Sequence, residues 1–149
     1  MERTLIIVKP DAVQRGLTGE IIRRFEARGL RIIGMKFLVI AREVAERHYA
    51  EHKGKGFYEG LLDYITSGPV VVMALEGPNA IQAARTTIGK TKPFEAEAGT
   101  IRGDLALMTG RNLVHGSDSV ESGQREIANF FDADELVSWA RSTDPWILE

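Results

Sequence analysis

Cysteine is absent from this 149-residue chain, which removes disulfides, thiolate metal sites and cysteine nucleophiles together. That absence leaves the redox compartment open. No apolar run exceeds strand length, and the opening Met1-Glu2-Arg3-Thr4-Leu5 contains neither a signal-peptide core nor a membrane span. The chain is therefore expected to be soluble and cytoplasmic, and a removed organellar leader is compatible with that reading. A charge excess of either sign is also missing: 19 Lys and Arg against 21 Asp and Glu leave a net charge of −2. This gives no global attraction for nucleic acid, so phosphate binding must come from a few placed cations, and small phosphorylated ligands fit better than a polyanion. Long low-complexity segments are absent too, and 44% hydrophobic with 27% charged residues is an ordinary globular balance. A chain of this length buries about 68–70% of its unfolded surface, so a single domain over 1–149 is expected.

What is present alternates between two periodicities. Leu5-Ile6-Ile7-Val8 is a β-rich run that stops at Lys9-Pro10-Asp11. Thr18 is placed to cap a helix carrying Ile21, Ile22 and Phe25 on one face, ended by Arg28-Gly29. Residues 30–40 return as a second strand, with Gly34 marking a bend. Helical spacing then runs through Val44, Ala45, His48 and Tyr49, breaks at Lys53-Gly54-Lys55-Gly56, and resumes through Phe57, Leu61 and Ile65. This predicts an inserted helical hairpin. Residues 69–75 form a continuous apolar strand, followed by a helix for which Asn79 and Gln82 suggest a capping box and in which Ile81, Ala84 and Ile88 face inward. From Lys90 to Arg111 no period survives, and loops this long inside small domains are usually functional. Leu113-Val114 is a last strand, a helix follows over 119–131, and Asp132 with Glu135 is placed to open another. The order βαββαβ predicts an α+β, ferredoxin-like antiparallel sheet with its helices on one face, plus the inserted hairpin and C-terminal helices.

The most informative residue is His115, which ends an apolar stretch and is followed at once by Gly116-Ser117-Asp118-Ser119. Imidazole is the side chain that stays largely neutral and nucleophilic near pH 7, and an adjacent helix start favours anions. That pairing suits phosphoryl transfer, although a satisfied core histidine fits the same pattern. Glu126 lies two turns into the following helix and can reach back to the ring where strand and helix pack closely. A partner on one ring nitrogen would leave the other lone pair free to attack. Lys9, Arg85 and Arg102 fall at or near element ends that a ferredoxin-like sheet can bring to one cleft, and an exposed Phe57 at its edge can stack on a base.

Three other motifs carry less. Gly89-Lys90-Thr91 imitates the end of a phosphate-binding loop, but Ala84 stands where the pattern needs glycine. Gly54-Lys55-Gly56 lacks the third glycine of a dinucleotide fingerprint, because Glu59 occupies that position. His48-Tyr49-Ala50-Glu51-His52 spells an inverted zinc-protease motif, yet such a site also wants a further ligand on a second element and a cleft for peptide, and the sequence shows no obvious source of either. Two partly exposed helix histidines are the alternative.

The run from Asn112 to Ser122 resembles the active-site signature of nucleoside diphosphate kinases. Thr4 to Gly19, Ser67-Gly68-Pro69-Val70-Val71, residues 99–104 and Trp146 resemble the same family in the expected order, so the resemblance spans essentially the whole chain. It implies a ping-pong enzyme that passes the γ-phosphate of a nucleoside triphosphate to a nucleoside diphosphate through a phosphohistidine. By resemblance His115 is the nucleophile through Nδ1, Glu126 holds Nε2–H, and Ser117 lies near that glutamate. Arg85, Thr91 and Arg102 match phosphate ligands, Lys9 and Asn112 match contacts to ribose hydroxyls and phosphate, Tyr49 matches a residue near the transferred group, and Phe57 matches the base-stacking aromatic. Mg²⁺ would ride on the nucleotide phosphates with little direct protein ligation. Ala98 and Thr109 stand where many relatives have proline and valine, a difference that bears on subunit contacts and nucleotide affinity. The family implies dimers assembled into a homohexamer, or a tetramer in some bacterial members. A non-catalytic nucleotide-binding module, and an assembly protein docking through the tail Trp146-Ile147-Leu148, are the competing classes.

Overall fold

Strand β1 (Glu2–Val8) runs through the interior, and Leu5, Ile6, Ile7 and Val8 are all fully buried. A strand shows its side chains to alternate faces, so this unbroken apolar run requires a covering layer on each side. The computed structural model describes residues Met1–Glu149 and supplies both layers. Leu5 and Ile7 enter one core cluster, whereas Ile6 and Val8 enter the other. The sheet is antiparallel, in the order β2-β3-β1-β4, with β2 at Arg31–Leu38, β3 at Val70–Gly77 and β4 at Val114–Gly116.

Helices α2 (Thr18–Arg28) and α5 (Ala80–Ile88), the two crossovers of the βαββαβ frame, lie together on one face. Ile21 and Phe25 from α2, with Ala80, Ala84 and Ile88 from α5, pack there against Val71, Met73 and Leu75. The inserted hairpin, α3 (Arg42–His48) and α4 (Tyr58–Ile65), covers the opposite face together with α7 (Val120–Phe130). The ferredoxin-like frame expected from the sequence is therefore present, and the additional helices bury its second face. The short helices α1 (Pro10–Gln14) and α6 (Ile101–Leu105) complete the set.

Local details differ from the sequence reading for identifiable reasons. Helix α2 begins at Thr18 itself, so this side chain caps nothing and Leu17 holds the cap position. Asn79 sits at φ 52 with no capping bond, and Gln82 donates to the Thr86 hydroxyl instead. The segment 90–111 contains α6 and two 3₁₀ turns, pieces too short to display a period. The helix expected from Asp132 is a single 3₁₀ turn, Ala133–Glu135, although its Asp132/Glu135 capping box does form. Beyond it the chain runs along β2, where a register shift between Ile32 and Gly34 leaves the Ile33 carbonyl to accept from Val137 N–H. A Cβ at Gly34 would stand 2.9 Å from Leu136 Cδ2 and 3.1 Å from the Phe131 ring, so a larger residue there would displace the side chains packed on β2.

Candidate active site

Two backbone facts aim the key imidazole. In the β1–β4 ladder Ile7 pairs with His115, and Ile7 points into the core, so β4 presents His115 on the face covered by α3 and α7. Helix α7 starts immediately afterwards, capped by Ser119 Oγ, which accepts from Ser122 N–H. Gly123 lets α7 approach β1 closely, since a Cβ there would lie 2.5 Å from the Arg3 carbonyl oxygen. This approach brings Glu126 within reach, and its Oε1 lies 2.8 Å from His115 Nε2.

The same carboxylate oxygen accepts from Ser117 Oγ at 2.8 Å, and Ser117 Oγ in turn accepts from Leu5 N–H at 3.0 Å. Burial by itself would raise the Glu126 carboxyl. The bond from His115, the charge of that imidazole and the bond from Ser117 outweigh it and hold the group below the ordinary carboxylate range. An ionised Glu126 at Nε2 selects the tautomer with the proton on that nitrogen, leaving the Nδ1 lone pair free.

His115 lines a mostly polar cavity of about 960 Å³, large enough for a nucleotide. The structure brings nine of the ten sequence-predicted residues to it or to its wall: Lys9, Tyr49, Arg85, Thr91, Arg102, Asn112, His115 and Glu126 line it, and Ser117 stands behind Glu126. The tenth, Phe57, is 53% exposed at the rim, its ring 5.3 Å from that of the lining residue His52. Lys9 Nζ donates to Asn112 Oδ1 at 2.9 Å, and Asn112 Nδ2 donates to the Thr91 carbonyl at 3.1 Å. Burial, assisted by the Arg102 charge and opposed by Asp11, pushes the Lys9 ammonium down to about 8. Burial likewise pushes the Tyr49 phenol up to about 12, so it remains a proton donor at neutral pH.

Arg102 is held more firmly than a loop residue would be. It sits in α6 and is buried, and its guanidinium donates to three carbonyls, those of Asn112, Gly89 and Val114. Arg85 is exposed on α5 with one long bond of 3.4 Å to the Gly116 carbonyl, leaving most of its donors turned to the cavity. Two guanidinium groups therefore line one cavity, an arrangement that can hold an anion such as a phosphate.

Sequence reasoning misjudged His48. It is buried rather than partly exposed, and its ring meets that of His115 edge-on, with centroids 4.7 Å apart. Burial first, and the positive charges around it second, push this imidazole down to about 3, so it is neutral at any ordinary pH. The signal was its three-residue spacing from the core residue Ala45. His52 belongs to a separate 3₁₀ turn and approaches Lys55 and Glu51, so the inverted zinc motif does not place its histidines on one helix face. Donor atoms of His48, His115 and Glu126 do fall within 4.8 Å of one another. Ligands on a tetrahedral zinc with bonds of 2.0–2.1 Å stand roughly 3.3 Å apart, so this cluster is too open for that ion as it stands. Two imidazoles also make a poor site for Mg²⁺, which takes oxygen ligands.

The comparisons with known proteins agree with this geometry. The family model described as nucleoside diphosphate kinase matches residues 2–136. A nucleoside diphosphate kinase from Thermomicrobium roseum is 66% identical over 148 residues, covering 99% of each chain, and one from Archaeoglobus fulgidus is 59% identical over 149 residues, covering 100% of this chain and 99% of its own. Among solved structures, a nucleoside diphosphate kinase family protein from Babesia bovis superimposes with a TM-score of 0.97 at 50% identity. A nucleoside diphosphate kinase from Halobacterium salinarum in complex with CDP gives 0.96, also at 50% identity, and both cover 99% of each chain. The chain belongs to the nucleoside diphosphate kinase family and is accordingly a phosphotransferase.

Proposed function

We propose that this protein, as one domain over residues 1–149, transfers the γ-phosphoryl group of a nucleoside triphosphate to a nucleoside diphosphate through His115 Nδ1. The observation that carries this reading is the 2.8 Å contact of His115 Nε2 with the buried Glu126 carboxylate, which reserves Nδ1 for the reaction. In the first half-reaction the Nδ1 lone pair attacks the γ-phosphorus, the bond to the bridging oxygen breaks, and the nucleoside diphosphate leaves with that electron pair. The imidazole gains positive charge as the N–P bond forms, and Glu126 stabilises it. A different diphosphate then attacks the phosphohistidine in the reverse sense.

Phosphoryl transfer depends on positioning and on positive charge over the equatorial oxygens. Arg85, Thr91 and Arg102 are assigned to the phosphates, Lys9 and Asn112 to ribose and phosphate, and Tyr49 to the transferred group. Mg²⁺ enters with the substrate, carried by the nucleotide phosphates. Phe57 at the rim stacks on the base without reading its edge, so any base is accepted.

Assembly into a homohexamer, with a tetramer as the other closed arrangement, is supported by exposed Met35, Phe37 and Val39 on and beside the edge strand β2, and by exposed Leu107, Met108 and Trp146. Solution mass decides between the two. No helix is long and apolar enough to cross a membrane, in keeping with a role in cytoplasmic nucleotide pools.

The test is the intact mass after treatment with Mg²⁺-ATP and removal of ATP at neutral or alkaline pH. A gain of one phosphoryl group that disappears on adding a nucleoside diphosphate, and is absent in folded His115→Ala, is the expected result. Nucleotide binding without that gain would instead identify a non-catalytic binding module.

A further inference from the structure

Leu113, two residues before His115, has φ 75, a conformation that branched apolar residues rarely adopt. Val114 N–H donates to the Asn112 carbonyl at 2.8 Å across it, so Asn112–Val114 form a γ-turn of the rare strained kind. Leu113 is fully buried, and nothing in its side chain favours this φ. The turn must be imposed from outside.

The groups that impose it are close at hand. Leu113 N–H donates to Asp11 Oδ2 at 3.2 Å, and the Leu113 carbonyl accepts from Lys9 N–H at 2.9 Å. Asp11 Oδ1 is occupied by the Tyr64 hydroxyl, and the Arg111 guanidinium lies 4.6 Å above the Tyr64 ring. Both carboxylate oxygens are thus engaged, one by α4 on the far layer and the other by the strained peptide. The turn in turn presents Asn112 to Lys9 and Thr91, and leads directly into the three-residue strand that carries His115.

We propose that Asp11 is a positioning residue for phosphoryl transfer: with Tyr64 as its anchor, it latches the Leu113 γ-turn and so sets the approach of His115 Nδ1 to the phosphates. This rests on His115 being the nucleophile. It accounts for the third residue of Lys9-Pro10-Asp11, of which the reaction otherwise uses only the lysine. A strand of three residues has few ladder bonds of its own, so its start governs where its imidazole points. Displacement of a reacting atom by about 1 Å can cost on the order of 10²-fold in rate.

The test measures single-turnover phosphorylation of His115 by saturating Mg²⁺-ATP per competent site, nucleotide affinity, and hydrogen exchange of the Leu113 amide. These are compared in wild type, Asp11→Ala, Asp11→Asn and Tyr64→Phe. In Asp11→Ala the Leu113 amide should lose protection and the rate constant should fall by roughly tenfold or more, with nucleotide affinity changing much less. Asp11→Asn keeps an oxygen for Leu113 N–H and should recover to within about threefold of wild type. Tyr64→Phe frees the carboxylate without deleting it and should slow the step in the same sense but by less. It carries the test where Asp11→Ala does not fold. Exposure of the Leu113 amide with an unchanged rate per site would overturn the proposal, as would a loss seen only in affinity. Wild-type protein that takes no phosphoryl group on His115 would overturn the site assignment itself, a separate and distinguishable failure.

Discussion

Ser117 and His115 share one oxygen of Glu126: Ser117 Oγ and His115 Nε2 both lie 2.8 Å from Glu126 Oε1. Leu5 N–H fixes Ser117 from the other side, so the orientation of the imidazole is referred back to the central strand. The geometry of the candidate site and that of the sheet are joined at this point.

Glu126→Ala removes the acceptor that selects the tautomer, and kcat should fall on the order of 10²-fold. Glu126→Gln keeps a neutral acceptor and should fall less. Rapid-quench measurement of His115 phosphorylation separates the two. Equal losses would show that the charge on the acceptor contributes nothing.

Lys9 supplies a pH dependence of opposite sense to an acidic group. With its ammonium at about 8, the free enzyme should lose kcat/KM for the triphosphate as pH rises through that value. Lys9→Arg keeps its charge throughout and should abolish this limb. Its survival in the arginine variant would assign the ionisation to another group.

His48 makes the fold acid-sensitive. A group near 3 in the folded state and near its ordinary value in the unfolded chain binds more protons when unfolded across that interval. Stability from this source is therefore lost as pH falls below about 6.5, by up to about 1.4 kcal/mol per pH unit. In urea denaturation the stability of wild type relative to His48→Leu should fall as the buffer is acidified. A constant difference between pH 7 and 4.5 would refute the assignment.

Arg102→Lys retains the charge but not the fork that spans three carbonyls. The lysine should both raise the KM for nucleotides and destabilise the fold, on the order of 3 kcal/mol by denaturant titration, because buried carbonyls lose their donors. A change in KM with an unaltered denaturation midpoint would confine Arg102 to ligand binding.

Gly123→Ala sets a Cβ against the Arg3 carbonyl at 2.5 Å, where backbone must give way. A stability loss of roughly 1–3 kcal/mol is expected, together with slower transfer, since α7 carries Glu126. Thermal unfolding alongside the transfer assay checks both effects. Retention of both would mean that α7 can recede without disturbing the site.

The linear pattern determined much of this molecule by itself. The continuous apolar runs of β1 and β3 demanded two-sided burial, Gly29 ended α2 at φ 104, and the order of elements specified the βαββαβ frame. His115 and its following cap residues marked the candidate nucleophile because a strand end next to a helix start places a ring beside an anion-favouring terminus. Tertiary structure decided what depends on contact between distant segments. Only packing of α3 against α7, beside the His115 ring, turned His48 into a neutral wall of the site, and only the meeting of α1 and α4 with the segment before β4 holds Leu113 at positive φ. Arg102 acquired its three carbonyl acceptors from segments it meets only in the folded chain. Periodicity reports which face of an element is buried, whereas a strained turn or an occupied guanidinium is stabilised by partners distant in sequence, Asp11 lying 102 positions before Leu113. No local pattern records such a partner.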